Sequence, residues 1–144
     1  MWCLQEITQE YRERMYCLLD LYKEEHDPAH PVVCMDEKSK QLLEDLRKPI
    51  AARPGSYEKY DYEYKRKGTC NLFVAVNPKG AMRFVKVTAT RTKADFAGFI
   101  RDLVEVHFSG AEYIQLVLDN LNTHFEGSLI ETFGKCKAER LMKR

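Results

Sequence analysis

Two short apolar runs that each end in an aspartate limit the fold of this 144-residue chain more than any other feature. Residues 31–36 (PVVCMD) and 113–119 (YIQLVLD) are rich in aliphatic and β-branched side chains and are too short for buried helices. Turn-forming or charged residues flank both runs. We therefore predict two buried strands, with Asp36 and Asp119 at the points where the strands end.

The segment between these runs contains a predicted hairpin and a predicted helix. Residues 69–76 and 82–88 are β-rich, and they flank the turn sequence Asn-Pro-Lys-Gly. Thr92, followed by Asp95, is typical of a capped helix N-terminus. The apolar stripe of this helix consists of Phe96, Phe99, Ile100, Leu103, Val104 and His107. A helical crossover of this kind can place the first and fourth strands side by side and parallel.

The remaining elements are assigned by periodicity. Residues 8–25 are predicted to form an amphipathic helix capped by Thr8, residues 127–133 form a short helix, and the tail from Lys135 forms another. Residues 37–59 lack sustained periodicity, which predicts an irregular connection with a short helical piece at 41–46.

Residues 60–65 alternate tyrosine with charge, which predicts an extended segment with its tyrosines on one face. We favour the interpretation that this face packs on the core, and the alternative is that it stacks on an unpaired base.

These elements predict an α/β fold in which helices flank a mixed sheet with an antiparallel hairpin and a parallel strand pair. We expect an N-terminal helical linker over residues 1–30 and a core over 31–144. No apolar run approaches the roughly 20 residues of a membrane helix, so a cytoplasmic protein without a membrane partner is expected. The five cysteines are scattered without a C-x-x-C pair, which favours neither disulfides nor zinc.

Charge is unevenly distributed although the formal net charge is only +1. Residues 1–30 carry seven acids and three Lys or Arg, a net charge of −4, whereas residues 47–67 carry seven Lys or Arg and three acids, a net charge of +4. The basic segment could attract a polyanion. A solvated surface is the alternative interpretation.

Asp36 and Asp119 would meet at one sheet edge if their strands are parallel neighbours. Two adjacent carboxylates repel each other, and a divalent cation that prefers oxygen ligands, Mg²⁺ or Mn²⁺, removes that repulsion. An aspartate after a strand is also common as a turn or helix-capping residue.

Four phrases carry a family resemblance: residues 32–38 (VVCMDEK), 60–66 (YDYEYKR), 68–73 (GTCNLF) and 116–124 (LVLDNLNTH). They resemble the catalytic domain of bacterial insertion-sequence DDE transposases of the mariner-like superfamily. The resemblance implies an RNase H-like core, with Asp36 and Asp119 as the first two acids of the DDE triad. It also implies two Mg²⁺ or Mn²⁺ ions, and DNA as the partner, both as element ends and as target.

The third acid of the triad is not identified. Glu126, Glu131 and Glu139 follow Asp119, but none lies in a stretch that resembles the motif around that acid. The helix-turn-helix region that similar proteins place upstream is also missing from the sequence. We therefore expect a catalytic-core fragment that ends before the third acid and is inactive alone.

Further residues are candidates for auxiliary roles. Asn120 and His124 could orient a ligand or a phosphate, although a turn or a helix entry explains them equally well. Lys65, Arg66 and Lys67 are candidates for contacts with the DNA backbone, and a homodimer is a candidate assembly. The alternative functions are a catalytically silent DNA-binding or assembly module and a hydrolytic RNase H-like nuclease.

Overall fold

The chain folds into a four-stranded sheet with helices packed on one of its faces. The structure, a computed structural model, describes residues 7–119 and 126–144. The elements are α1 (Gln9–Lys23), β1 (Val32–Asp45), β2 (Tyr64–Asn77), β3 (Met82–Thr88), α2 (Lys93–Asp102), β4 (Gln115–Val117), α3 (Glu126–Phe133) and α4 (Lys135–Met142). A π-helical segment, Leu103–His107, continues α2. Among the described helices, none is both long and apolar enough to cross a membrane.

The strand order is β3-β2-β1-β4. β2 pairs antiparallel with both β1 and β3, whereas β1 and β4 pair in parallel, with Val32 beside Gln115 and Cys34 beside Val117. The mixed sheet, its antiparallel hairpin and its parallel strand pair are therefore confirmed.

The turn between β2 and β3 requires a glycine. The side chain of Asn77 is fully buried, and its Oδ1 accepts a hydrogen bond of 2.8 Å from the backbone N–H of Gly80. A Cβ atom at position 80 would lie 2.6 Å from Asn77 Nδ2, closer than side-chain atoms can approach. The asparagine and the glycine together fix the turn and hence the register of the hairpin.

The hydrophobic core lies between one sheet face and the helices. Val33, Met35, Phe73 and Ala75 line the sheet side, and the rings of Phe73 and Phe99 lie 5.6 Å apart. The helical side of the core consists of Phe96, Ala97, Phe99, Ile100, Leu103, Val104, Leu129, Ala138 and Leu141. The predicted α2 stripe is thus buried, as are parts of α3 and α4, which confirms these three helices.

The start of α2 has the predicted capping box. Thr92 Oγ1 accepts a hydrogen bond from the Asp95 N–H, and Asp95 Oδ2 accepts one from the Thr92 N–H at 2.9 Å. His107 departs from the prediction because it is exposed at the end of the stripe. Its ring stacks on Phe84 at 3.9 Å and so packs against the edge of the core.

The opposite sheet face is largely open. Val85 and Val87 on β3 are 56% and 62% exposed. The predicted helix α1 is confirmed, with Thr8 Oγ1 accepting from the Tyr11 N–H at 3.2 Å, but it has no buried residue. Its contact with this face includes Tyr22 Oη, which lies 3.4 Å from Cys34 Sγ.

β1 is much longer than predicted, and the proposed helical piece at 41–46 is wrong. β1 pairs with β2 as far as Asp45 beside Tyr64, with a register shift between Gln41 and Leu43. Beyond the last β2–β3 pair, residues 40–45 and 64–70 thus form a largely exposed two-stranded ribbon, here called the hairpin arm. Cross-strand hydrogen bonding overrides the weak local preference of this segment. β4, in contrast, is shorter than the predicted run 113–119.

The tyrosines of the alternating segment do not pack on the core. Tyr60, Tyr62 and Tyr64 are 64%, 96% and 53% exposed, and β2 begins only at Tyr64. The prediction that their common face is buried was therefore wrong. The helices that form the core do not extend to this segment. The tyrosine face of the alternating pattern therefore has no buried surface to pack against.

His30 connects the segments that precede the two parallel strands. Its Nδ1 lies 2.7 Å from Asp27 Oδ2, its Nε2 lies 3.3 Å from Glu112 Oε2, and its ring packs on Tyr113 at 4.2 Å. The hydrogen bond to Asp27, followed by that to Glu112, raises the pKa of His30. The hydrogen bond from the Ala29 N–H, followed by that from His30, lowers the pKa of Asp27.

We expect Phe99→Ala to lower the free energy of unfolding by about 3–5 kcal/mol, because it removes a buried ring and leaves a cavity. Chemical denaturation measures this loss. Val106→Ala, at a 65% exposed position of the helical extension, is the control and should change the value by less than about 0.5 kcal/mol. Equal small effects would show that the packing of α2 has been misjudged.

We expect the stabilisation by His30 to depend on pH. Because its folded pKa is raised, its contribution is complete below the unfolded value of about 6.5 and declines as pH rises through the folded pKa. The difference in melting temperature between wild type and His30→Gln should be larger at pH 5.5 than at pH 8.5. Asp27→Asn should remove most of this pH dependence. A difference that grows with pH would contradict the assignment.

Candidate metal and nucleic-acid site

Asp36 lies inside β1, just beyond the part of the strand that pairs with β4. It does not end the strand, as the sequence had suggested. Its side chain is exposed on the face opposite Met35, which is buried in the core. Its Oδ1 accepts a hydrogen bond of 2.7 Å from the Glu37 N–H, which fixes the direction of one carboxylate oxygen.

Asp119 follows β4 by two residues and is also exposed. The parallel ladder pairs Cys34 with Val117, so its register, continued by two residues, brings Asp119 level with Asp36. Neighbouring strands are about 4.8 Å apart. Continuation of this register would place Asp119, two residues after β4, beside Asp36 in β1.

Asn120 and His124, the candidate auxiliary residues, lie outside the described residues. Their proposed roles remain predictions.

The three candidate DNA-contacting cations lie in the hairpin arm, at the start of β2. Lys67 is engaged within the arm, where its Nζ lies 2.7 Å from Glu44 Oε2. Lys65 pairs in register with Glu44, and Arg66 pairs with Leu43. All three cations are exposed. Of the three, Lys67 is the one whose charge is neutralised by a direct ion pair.

The start of α2 lies at the same sheet edge as Asp36. Asn71 pairs with Ser39 on one side and with Thr88, the last residue of β3, on the other. The β3–α2 connection therefore emerges close to the level of Asp36. It carries Arg91, whose Nε lies 3.5 Å from Glu37 Oε2, and Lys93 follows at the first position of α2.

Glu37 is a residue to which the sequence analysis assigned no role. Its side chain is only 3% exposed, because it points to the core face while the adjacent Asp36 points to the other face. A buried carboxylate is costly without compensating charge, which Arg91 supplies. The sequence contained a signal for this burial. Because side chains alternate along a strand, a buried Met35 places the charged Glu37 on the core face.

The three later glutamates lie on α3 and α4. Glu126 begins α3, Glu131 on the same helix pairs with Lys93 at 2.7 Å, and Glu139 on α4 lies 3.9 Å from Lys135. Within residues 7–119 and 126–144, no group of three or more His, Cys, Asp or Glu side chains could hold a metal ion. In this part of the chain, the carboxylates that the register brings together are those of Asp36 and Asp119.

A family model described as DDE superfamily endonuclease matches residues 31–141. The chain belongs to this family. The mixed sheet, with its antiparallel hairpin and its parallel strand pair, lies within the matched region. The match includes both aspartates, the hairpin arm and the helices that form the core. The match begins at residue 31, one residue before β1.

One solved structure is similar to this chain over most of its length. It is the crystal structure of the Mos1 mariner paired end complex with Mn, with 21% sequence identity and a TM-score of 0.48. The similarity covers 92% of this chain and 42% of the Mos1 chain, so this chain spans less than half of that protein. No curated protein matched the sequence.

We expect Glu37 and Arg91 to be energetically coupled. Arg91→Gln leaves a buried carboxylate with less compensating charge. The double variant Arg91→Gln/Glu37→Gln should therefore lose less unfolding free energy than the sum of the losses in the two single variants. A coupling of about 0.5–3 kcal/mol is expected from a double-mutant cycle of unfolding free energies. The exposed pair Lys23 and Asp20 is the control and should couple by less than about 1 kcal/mol. Equal coupling for both pairs would contradict this assignment.

Proposed function

We propose that this chain forms part of the catalytic core of a transposase, which cleaves and joins DNA strands by metal-dependent phosphoryl transfer. The observation that carries the proposal is the parallel β1–β4 register, which brings Asp36 and Asp119 to one sheet edge within the region of the family match. These two residues are proposed as catalytic metal ligands.

The two aspartates fit a divalent cation. Both are exposed, both offer the hard oxygen ligands that Mg²⁺ and Mn²⁺ prefer, and each follows its paired parallel segment by two residues. Bound cations of this kind, two in the complete site, neutralise charge on a phosphate and make a water or hydroxyl oxygen a better nucleophile. Asn120 and His124 are proposed to assist at the same edge.

The contribution of the protein in this proposal is positioning. β4 pairs with β1 up to Cys34, and β2 pairs with it from Cys34 onward and through Asp36, which gives Asp36 a rigid base. The Glu37 N–H orients one oxygen of Asp36. Buried Glu37 and Arg91 tie β1 to the β3–α2 connection next to this point. Fixed carboxylates favour phosphoryl transfer because little reorganisation is needed during the reaction.

The hairpin arm is the proposed contact region for DNA. Lys65 and Arg66 are exposed, and their charge is available to phosphates. Lys67 contributes less in this proposal because Glu44 already neutralises it.

A catalytically silent DNA-binding or assembly module is the second candidate. It is favoured by the observation that, among the described residues, the site brings together two carboxylates and no larger metal-binding cluster. Metal titration and a cleavage assay distinguish it from the first proposal.

We expect the chain to bind Mn²⁺ weakly, at millimolar concentration, and more tightly than Mg²⁺, because Mg²⁺ demands near-ideal octahedral geometry. Titration followed by electron paramagnetic resonance of free Mn²⁺ measures this binding. Asp36→Asn and Asp119→Asn should each abolish it. Asp45→Asn, an exposed acid at the far end of the same strand, is the matched control and should bind as wild type does. Loss of binding in Asp45→Asn alone would place the ion elsewhere.

We also expect no specific cleavage of DNA by this chain in the presence of Mn²⁺, since two carboxylates leave one side of a two-ion site open. Incubation with supercoiled plasmid and with duplexes that carry candidate element ends measures nicking. Nicking that disappears in the Asp36→Asn/Asp119→Asn variant would contradict this expectation and favour a complete site. Glu126 and Glu131 would then be the first acids to substitute.

A further inference from the structure

Two lysines follow Asp36 on the same face of β1. Strand residues at every second position share a face, so Asp36, Lys38 and Lys40 form one row. All three are exposed. The row begins at the proposed site and runs into the hairpin arm.

The lysines of this row differ from the cations around them. Arg91 at the same sheet edge is engaged with Glu37, and Lys67 in the arm is engaged with Glu44. Within residues 7–119 and 126–144, neither Lys38 nor Lys40 lies within ion-pair distance of a carboxylate, and their partners on β2 are Leu72 and Cys70.

The positive charge continues beyond the register shift in β1. Lys65 pairs there with Glu44, which shares a face of β1 with Lys38 and Lys40, whereas Arg66 pairs with Leu43 and points to the other face. Lys38 and Lys40 lie about 6.6–6.8 Å apart along the strand. The axial rise per base step is about 3.4 Å, and successive phosphates of one strand lie farther apart than this because the backbone winds around the axis, at a distance similar to the lysine spacing. The spacing therefore suits successive contacts with one phosphate backbone.

We propose that Lys38 and Lys40 form a track for the phosphate backbone of DNA, which leads from the Asp36 edge along the hairpin arm to Lys65. This inference rests on the proposed function and adds the path of the substrate. The contacts are to phosphates, so they position the strand without reading its sequence. A row of ammonium groups beside a carboxylate pair also keeps the DNA backbone close to the proposed metal ligands despite their negative charge.

The test is binding of a fluorescein-labelled 20-base-pair duplex, followed by anisotropy in EDTA at several NaCl concentrations. We expect Lys38→Gln/Lys40→Gln to weaken binding on the order of tenfold at low salt. The slope of log K against log salt should fall by about 1.8, which corresponds to two phosphate contacts at about 0.9 each. Lys38→Arg/Lys40→Arg keeps both charges and should bind as wild type does.

The matched control is Lys135→Gln/Lys143→Gln, which removes the same charge from α4 and its C-cap. The residue after Lys143 contacts the opposite end of the sheet, where the Arg144 carbonyl accepts from Ile114 N–H before β4. This control should change the slope by less than half a unit. An equal loss in both double variants, or no measurable binding by wild type, would overturn the track.

Mn²⁺ titration of the same variants separates this inference from the proposed function. Lys38→Gln/Lys40→Gln should retain Mn²⁺ binding, and Asp36→Asn should retain DNA binding in EDTA. Unchanged DNA binding by the lysine variant, with Mn²⁺ still bound by the aspartates, overturns the track alone. Reduced DNA binding by the lysine variant in a chain that binds no Mn²⁺ supports the track and overturns the metal site.

Discussion

The short parallel ladder between β1 and β4 is the contact on which the candidate site depends. It joins only Val32–Cys34 to Gln115–Val117, and so few parallel pairs contribute little stability by themselves. The surrounding core holds the ladder in place, because Val33 is fully buried and Leu116 packs against the same cluster. Packing of α2, α3 and α4 on this side therefore determines that the two aspartates share an edge.

The adjacent acids Asp36 and Glu37 have opposite environments because consecutive strand residues point to opposite faces. Asp36 is exposed and can accept a cation from solvent, whereas Glu37 is buried and ion-paired with Arg91. This ion pair, of which only the Glu37 side chain is buried, connects the strand that carries the candidate ligand to the segment before α2. The structure thus separates a carboxylate suited to ligand binding from one suited to holding the backbone in position.

The local features of the fold could be predicted from the sequence because each depends on neighbouring residues. The Thr92–Asp95 capping box, the Asn77–Gly80 turn and the apolar stripe of α2 are examples. The extension of β1 through residues 37–45 could not be predicted, because that segment has no alternating apolar pattern and becomes a strand only by pairing with β2. The tyrosines gave the opposite error. Their alternating pattern predicted a buried face, but their side chains are exposed in the structure.

The sequence by itself determined the two apolar runs with their aspartates, the order of the elements and the family resemblance, since these reside in short contiguous segments. Only the tertiary structure decided which residues lie together. The register of β1 with β4 aligned the two segments that lead to Asp36 and Asp119, and the length of the β1–β2 pairing put Lys38 and Lys40 in a row with Asp36. These relations depend on contacts between residues far apart in the chain, which hydrogen bonding and core packing establish together.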